Sequence, residues 1–407
     1  MTDMDCILTE ELARLVHTPA YIFDIDEFHH RVTQVKEAFG EEIGLCFSIK
    51  ANPFLLPCLP DTFQRIEVCS PGELTVCERV GTDMSKVIFS GVNKTRADVE
   101  RAMDDQVGIF TAESPLHLAF IDDCARKRGR TVPVLIRLTA GSQFGMDEQD
   151  VISIIKNREQ FPGIDIIGLH FFSGTQKKKI SGIEKELQYL ESFIATLAQE
   201  RDFRVRHLEY GTGLAVDYFT ADAGASELER LQAVAVPLRE MAKKVCLTVE
   251  MGRFFAAPCG YYFTRVMDVK TNCGINYAIV DGGLHQLKYA GQIQGMQLPR
   301  VAQLRPEKCI PHPTSTNQWT LCGSLCSTAD ILARDMTFED LAIGDTLIFK
   351  HTGAYSVTEG MALFLSRELP EVSVFSRAQG LTKVREIFNT DILNTPEALS
   401  SNRRDPS

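Results

Sequence analysis

Between Gly44 and Glu250 the chain repeats one pattern eight times: a short apolar run, a break, and a helix-like stretch. The runs 45–49, 65–69, 87–90, 108–111, 132–138, 164–172, 205–210 and 245–250 have the length and composition of buried strands. The helix-like stretches between them have readable ends. Ser114-Pro115 is an N-cap with proline at the first helical position, and Gly129 stops that helix. Pro71-Gly72-Glu73 opens another, which ends at Gly81. Strands joined by helices pair in parallel, and eight such units in about 230 residues predict a closed (β/α)8 barrel rather than an open doubly wound sheet. An open dinucleotide-binding sheet should also carry three spaced glycines, and Gly211-Thr212-Gly213-Leu214-Ala215-Val216 lacks the third.

The barrel is expected over residues 28–265. Before it, residues 1–27 hold an amphipathic stretch and a strand-like run from Pro19 to Asp24, expected to pack on a later β domain. That domain is predicted over 266–388. Its strand-like runs, 260–270, 277–280, 319–322 and 346–349, are joined by turns with no alternating helix. Residues 389–407 are polar and read as a loose tail.

Composition excludes several classes. With 43 basic and 54 acidic residues the net charge is −11 and no basic run offsets it, which argues against nucleic acid and anionic membranes as partners. No apolar run reaches about 18 residues, so no membrane span is expected. The acidic start lacks the features of a signal peptide, which points to the cytoplasm. Twelve cysteines without CxxC spacing read as reduced thiols. Cys322 and Cys326 are CxxxC-spaced, but no second ligand cluster follows, so no metal is expected.

Chemistry in such a barrel gathers at the carboxyl ends of the strands. Lys50 ends the first, and Glu67 and Ser70 close the second. Arg137 is near the end of the fifth, and His170, Phe172 and Thr175 end the sixth. Gly211-Thr212-Gly213 follows the seventh, and Glu250-Met251-Gly252-Arg253 ends the eighth. Singly, each has a structural explanation: a snorkelling lysine, a helix cap, an ion-paired arginine, a satisfied core histidine. Together on one rim they point to a site. A Gly-rich turn entering a helix offers N–H groups to a phosphate, and Arg253 adds charge. Glu250 suits a protonated pyridine nitrogen, and a desolvated Lys50 amine suits an aldehyde. These features describe pyridoxal phosphate. In the β-rich part, Gly323 to Asp330 offers the Cys326 thiol in a turn, and Gly353-Ala354-Tyr355 offers a phenol.

The chain resembles the fold-type III pyridoxal-phosphate decarboxylases, which include diaminopimelate, ornithine and arginine decarboxylases. The motifs occur in order across about residues 19–375: Ser48-Ile49-Lys50-Ala51-Asn52, Cys69-Ser70-Pro71-Gly72-Glu73-Leu74, Ser142-Gln143-Phe144-Gly145, His170 to Gln176, Gly211-Thr212-Gly213, Glu250-Met251-Gly252-Arg253, and Gly323 to Asp330, followed by Gly353-Ala354-Tyr355. The resemblance implies that Lys50 holds the cofactor and Glu250 faces the ring nitrogen. Gly213, Arg253, Thr175 and Tyr355 would bind the phosphate, with Gly211, Thr212, Gly252, Phe172, Ser70 and Arg137 in the cofactor site. Ser327, Lys288 and His170 would meet the substrate. Cys326 would reach across a homodimer to protonate the carbanion, so each active site would be shared between subunits.

Three departures from the family pattern matter. Phe172-Ser173-Gly174-Thr175 stands where His-Ile-Gly-Ser is usual, so a ring-stacking histidine becomes Phe172. Thr212 replaces a glycine. Ser327 replaces the acid that usually follows the catalytic cysteine and meets a distal ammonium, a charge-assisted contact of about 1.5–3 kcal/mol. The sequence therefore leans toward an amino acid with an acylated or carrier-linked tail. Diaminopimelate decarboxylation proper, a non-catalytic partner-binding role and, more weakly, racemisation are the alternatives.

Overall fold

The structure, a computed structural model, describes residues 11–220, 223–292, 295–305, 310–311 and 317–396. The chain divides into two compact units, Ile25–Pro258 and a second built from the N-terminal residues through Asp24 with Cys259 onward.

Ile25–Pro258 is a closed barrel of eight parallel strands. After β1 (Ala20–Asp24), which belongs to the other unit, they are β2 (Gly44–Ser48), β3 (Phe63–Val68), β4 (Val87–Phe89), β5 (Ile109–Ala112), β6 (Val132–Leu138), β7 (Ile164–Phe172), β8 (His207–Gly211) and β9 (Cys246–Met251). β2 pairs with β9 to close the ring, with Cys46 opposite Glu250. Cys46, Ile88, Ile109 and Leu135 form one buried cluster drawn from four strands.

The crossover helices begin where local chemistry allows. Ser70 Oγ accepts the Glu73 N–H at 3.1 Å and starts Pro71–Arg79. Ser114 does the same for Pro115–Lys127. Thr95 and Asp98 form a reciprocal capping box before Arg96–Asp104. Gly81 and Gly129 take positive φ after two of these helices, as the sequence predicts.

Most strand edges shift by one or two residues from the sequence expectation. The largest chemical consequence is at Lys50. It does not end a strand, because β2 stops at Ser48 and Ile49–Ala51 form a 3₁₀ turn. Asn52 then caps a second 3₁₀ segment, Pro53–Cys58, its Oδ1 accepting the Phe54 N–H at 3.0 Å. The barrel runs 25–258 rather than 28–265.

The second unit is β-rich. β1 lies between β10 (Gly260–Asn272), antiparallel, and the strand Glu371–Ser376, parallel. Leu12 and Val16 share a buried cluster with Ala20, Ile22, Phe263, Ile348 and Phe375, so the described part of the N-terminal segment packs within this unit. Of the expected tail, Asp391–Asn394 form a short helix and Asn394 Nδ2 donates to the Leu363 carbonyl at 2.8 Å. Residues 397–407 and 1–10 lie outside the described residues.

Gly168 tests the barrel register. A Cβ there would sit 1.7 Å from the His207 carbonyl oxygen of the paired strand. Gly168→Ala is expected to lower stability by about 1–3 kcal/mol through overpacking. Urea unfolding measures this, and an unchanged midpoint contradicts the β7–β8 register.

Candidate active site

The carboxyl ends of β2, β3, β7 and β9 bring one charged cluster together. Lys50 Nζ donates to Glu67 Oε2 at 2.6 Å and to Glu250 Oε1 at 3.4 Å, with Cys69 Sγ at 3.5 Å. Both carboxylates are buried, whereas the Lys50 side chain is 37% exposed. Glu250 is also gripped from its own side. Ser48 Oγ donates to Oε1 at 2.7 Å, and His170 Nε2 lies 3.0 Å from Oε2. Burial would raise the Glu250 carboxyl, but the Lys50 charge and the His170 hydrogen bond outweigh it and hold the group well below the usual carboxylate range. His170, expected on the substrate side, is 1% exposed and engaged with Glu250.

Below this cluster lies Glu209, fully buried, with the Cys46 thiol as its polar neighbour and no N–H or O–H donor to either carboxyl oxygen among the described residues. Burial, reinforced by Glu250 and Glu67, pushes its carboxyl well above the usual range. The barrel interior thus holds one strongly ionised carboxylate and one whose proton is hard to remove.

Three turns meet after β7, β8 and β9. Lys177 N–H donates to the Gly213 carbonyl at 2.8 Å, and the Gln176 side chain both donates to the Val216 carbonyl (3.0 Å) and accepts its N–H (2.8 Å). Gly213 has φ +60°, and a Cβ there would fall 1.9 Å from the Gly174 carbonyl oxygen. Only glycine combines that backbone with that approach. Thr212 Oγ1 accepts the Leu214 N–H at 3.3 Å and braces the same turn. Arg253 Nε donates to Thr175 Oγ1 (3.3 Å) and Nη1 to the Tyr218 hydroxyl (2.9 Å). The Phe172 ring covers Gly211, where a Cβ would be 2.5 Å from the ring. Gly252 is needed because a Cβ would meet that of Ala51 at 2.7 Å.

Two expected site residues have structural partners. Ser70 caps its helix, and Arg137 pairs with Glu113 at 3.1 Å and lies 4.8 Å from the Phe144 ring centroid. Beside that pair Lys94 is buried, its Nζ donating to the Gly91 carbonyl at 2.7 Å, and burial lowers its pKa to about 8.

The remaining expected residues lie in the β-rich unit. Cys326 is exposed in a loop held by Asp330, whose two oxygens accept the N–H groups of Leu284 (2.7 Å) and Leu325 (2.8 Å). Ser327 Oγ accepts the Ala329 N–H at 3.2 Å within the same loop. Tyr355 adopts φ +66°, and its carbonyl accepts from the N–H groups of Thr358 and Glu359. Lys288 is 54% exposed and pairs with Glu359 at 3.3 Å.

The sequence places Glu67 at a strand end and Ser48 and Cys69 within motifs without giving them a role, and it does not single out Tyr218. Glu67 had a signal, an acid in an otherwise apolar strand. Ser48 and Cys69 are small enough to pass as core, and Tyr218 lies far from its partner in sequence.

Comparison with known proteins supplies an identity for this arrangement. A family model described as "Pyridoxal-dependent decarboxylase, pyridoxal binding domain" matches residues 25–257. The diaminopimelate decarboxylase of Aquifex aeolicus is 24% identical, over 93% of this chain and 92% of the relative. The L-glutamyl-[BtrI acyl-carrier protein] decarboxylase of Niallia circulans is 26% identical, over 88% and 89%. The 2-[(L-alanin-3-ylcarbamoyl)methyl]-2-hydroxybutanedioate decarboxylase of Staphylococcus aureus is 26% identical, over 86% and 92%. The solved diaminopimelate decarboxylase from M. jannaschii with L-lysine superposes with a TM-score of 0.82 at 21% identity, covering 96% of this chain and 94% of that one, a likeness of fold.

The ionised Glu250 has a pH signature. A depressed carboxyl stabilises the fold above its unfolded value and loses that contribution as pH falls through the folded value. Lys50→Met removes the first-ranked opposing charge. The stability difference between wild type and Lys50→Met is expected to narrow as pH falls from about 6 to about 3, measured by urea unfolding. A difference that holds constant or widens contradicts the ion-pair assignment.

Proposed function

The chain belongs to the pyridoxal-dependent decarboxylases, and from that membership we propose that it decarboxylates an amino acid whose distal end is acylated or carrier-linked. Its class is pyridoxal-phosphate-dependent amino-acid decarboxylase. The residues present fit the cofactor. Glu250 is an anion fixed at depth, and Gly213 leaves a cradle that a Cβ would fill. Lys50, Phe172, Thr175, Gly211, Thr212, Gly213, Glu250, Gly252 and Arg253 would hold it, with Tyr355 at the phosphate. When bound, the cofactor supplies an aldehyde for the substrate amine and a ring that accepts the electron pair left by departing carbon dioxide.

The chain's own groups do the rest. Glu250 would hold a proton on the ring nitrogen, with Ser48 and His170 holding its two oxygens. Glu67 is placed to take a proton from Lys50 Nζ, 2.6 Å away. The Phe172 ring shields one face from water without offering a hydrogen bond. Cys326, reaching the site from the second subunit of a homodimer, would be the proton donor to the substrate carbon.

One observation carries the substrate assignment: no acid in the Cys326 loop is available for a distal ammonium. Ser327 occupies the position next to the thiol and turns to its own backbone. Asp330, the acid within that loop, has both oxygens committed to backbone N–H groups. Glu359 pairs with Lys288. The curated names of two relatives, an acyl-carrier-protein-linked and a carbamoyl-linked substrate, support the reading. The Aquifex relative favours diaminopimelate itself as the second reading.

Carbon dioxide release across free diaminopimelate, ornithine, lysine and amino acids acylated at the distal nitrogen decides between them. The acylated compounds are expected to have the higher kcat/KM, and Ser327→Glu is expected to shift the preference toward the free diamino acid by about tenfold or more. Faster turnover of free diaminopimelate by the unaltered enzyme overturns the proposal. For the shared site, mixing inactive Lys50→Ala with inactive Cys326→Ala is expected to restore part of the activity, since each mixed dimer contains one complete site. Inactive mixed dimers, verified as such, rule out placement across subunits.

A further inference from the structure

Glu186, on the helix Ile180–Arg201, has no part in the chemistry above, yet one carboxylate there collects three side chains, two from the turn after β7 and one from the end of β8. Ser173 Oγ donates to Oε1 at 2.6 Å. Lys177 Nζ donates to both oxygens, at 2.9 and 2.7 Å. The Tyr210 hydroxyl donates to Oε2 at 2.6 Å. Ser173 and Lys177 bracket Gly174-Thr175-Gln176, and Tyr210 directly precedes Gly211-Thr212-Gly213. The two turns are already bonded to each other through Lys177 N–H and the Gln176 clamp. Glu186 ties the pair to the helix layer. Bonds to an ionised acceptor are the stronger class, and Lys177, Glu186 and Tyr210 are partly or fully shielded from water, with Ser173 at the exposed edge of the cluster.

We propose that Glu186 is a positioning residue that sets the spacing of the two turns that grip the cofactor phosphate. The inference rests on the reading of Thr175, Gly213 and Arg253 as that grip. Its carboxylate is not offered to the phosphate, because an ammonium and two hydroxyls occupy its oxygens. Removing it therefore has two opposed consequences. Loss of a negative charge alone would tighten binding of a phosphate. Loss of the turn spacing would weaken it.

Equilibrium dialysis of the full chain against pyridoxal phosphate and against pyridoxal, which lacks the phosphate, separates these. Glu186→Ala is expected to weaken pyridoxal phosphate binding about tenfold or more, with pyridoxal affinity changed less than about twofold. Glu186→Gln should fall between the variant and the wild type. Tyr210→Phe and Ser173→Ala each remove one bond and should move the ratio of the two affinities the same way by about threefold, which keeps the test available if Glu186→Ala does not fold. Equal weakening of both ligands would show general loosening, and unchanged or tighter pyridoxal phosphate binding would show that the turns do not depend on Glu186. Either result overturns the proposal. Arg253→Ala tests the premise. If it collapses the ratio while the Glu186 variants do not, the inference alone is wrong. If it leaves the ratio intact, the phosphate reading of these turns fails, and this inference fails with it.

Discussion

The buried Glu250 carboxylate is the constraint around which the barrel mouth is arranged. An anion at that depth is costly unless donors surround it, and here the donors come from two strands or their ends. Ser48 arrives from β2, His170 from β7 and Lys50 from the turn after β2. Each must be at its register position for the charge to be tolerated. The β2–β9 pairing that closes the ring is therefore also the pairing that solvates the anion. Glu209 shows the alternative outcome in the same interior. Without equivalent donors its carboxyl is pushed upward, so the carboxyls of two acids on adjacent strands shift in opposite directions.

The barrel was legible in the sequence because eight apolar runs alternate with capped helices, and β6 and β7 have the bounds that their apolar runs suggest. Strand edges were less legible. Hydrophobicity continues through Ile49 into a 3₁₀ turn, and no side-chain cap at Ser48 marks where the strand stops. At the site, the glycines, Lys50, Glu250 and Arg253 announced themselves by residue type. The supports did not. His170 and Arg137 were read as ligand-facing because polar residues near strand ends invite that reading, whereas burial and ion pairing commit them to Glu250 and Glu113. Ser48 and Tyr218 act through partners distant in sequence, which no local pattern reveals.

The β-rich unit follows a different logic, in which backbone rather than charge sets the loops. Asp330 bridges two segments by accepting the N–H groups of Leu284 and Leu325, and its carboxylate fills the space that side chains at Gly283 and Gly323 would need. That arrangement fixes the loop that carries Cys326 and leaves its thiol exposed. An acid spent on scaffolding is unavailable to a substrate ammonium, so the loop's architecture and the proposed substrate class follow from the same hydrogen bonds.

Lys50, between two buried carboxylates, is the residue proposed to hold the cofactor. Borohydride reduction of the cofactor-loaded enzyme followed by peptide mapping tests this directly. The phosphopyridoxyl group is expected on the peptide containing Lys50 and on no other. Its recovery on a different lysine, such as the buried Lys94, would contradict the assignment.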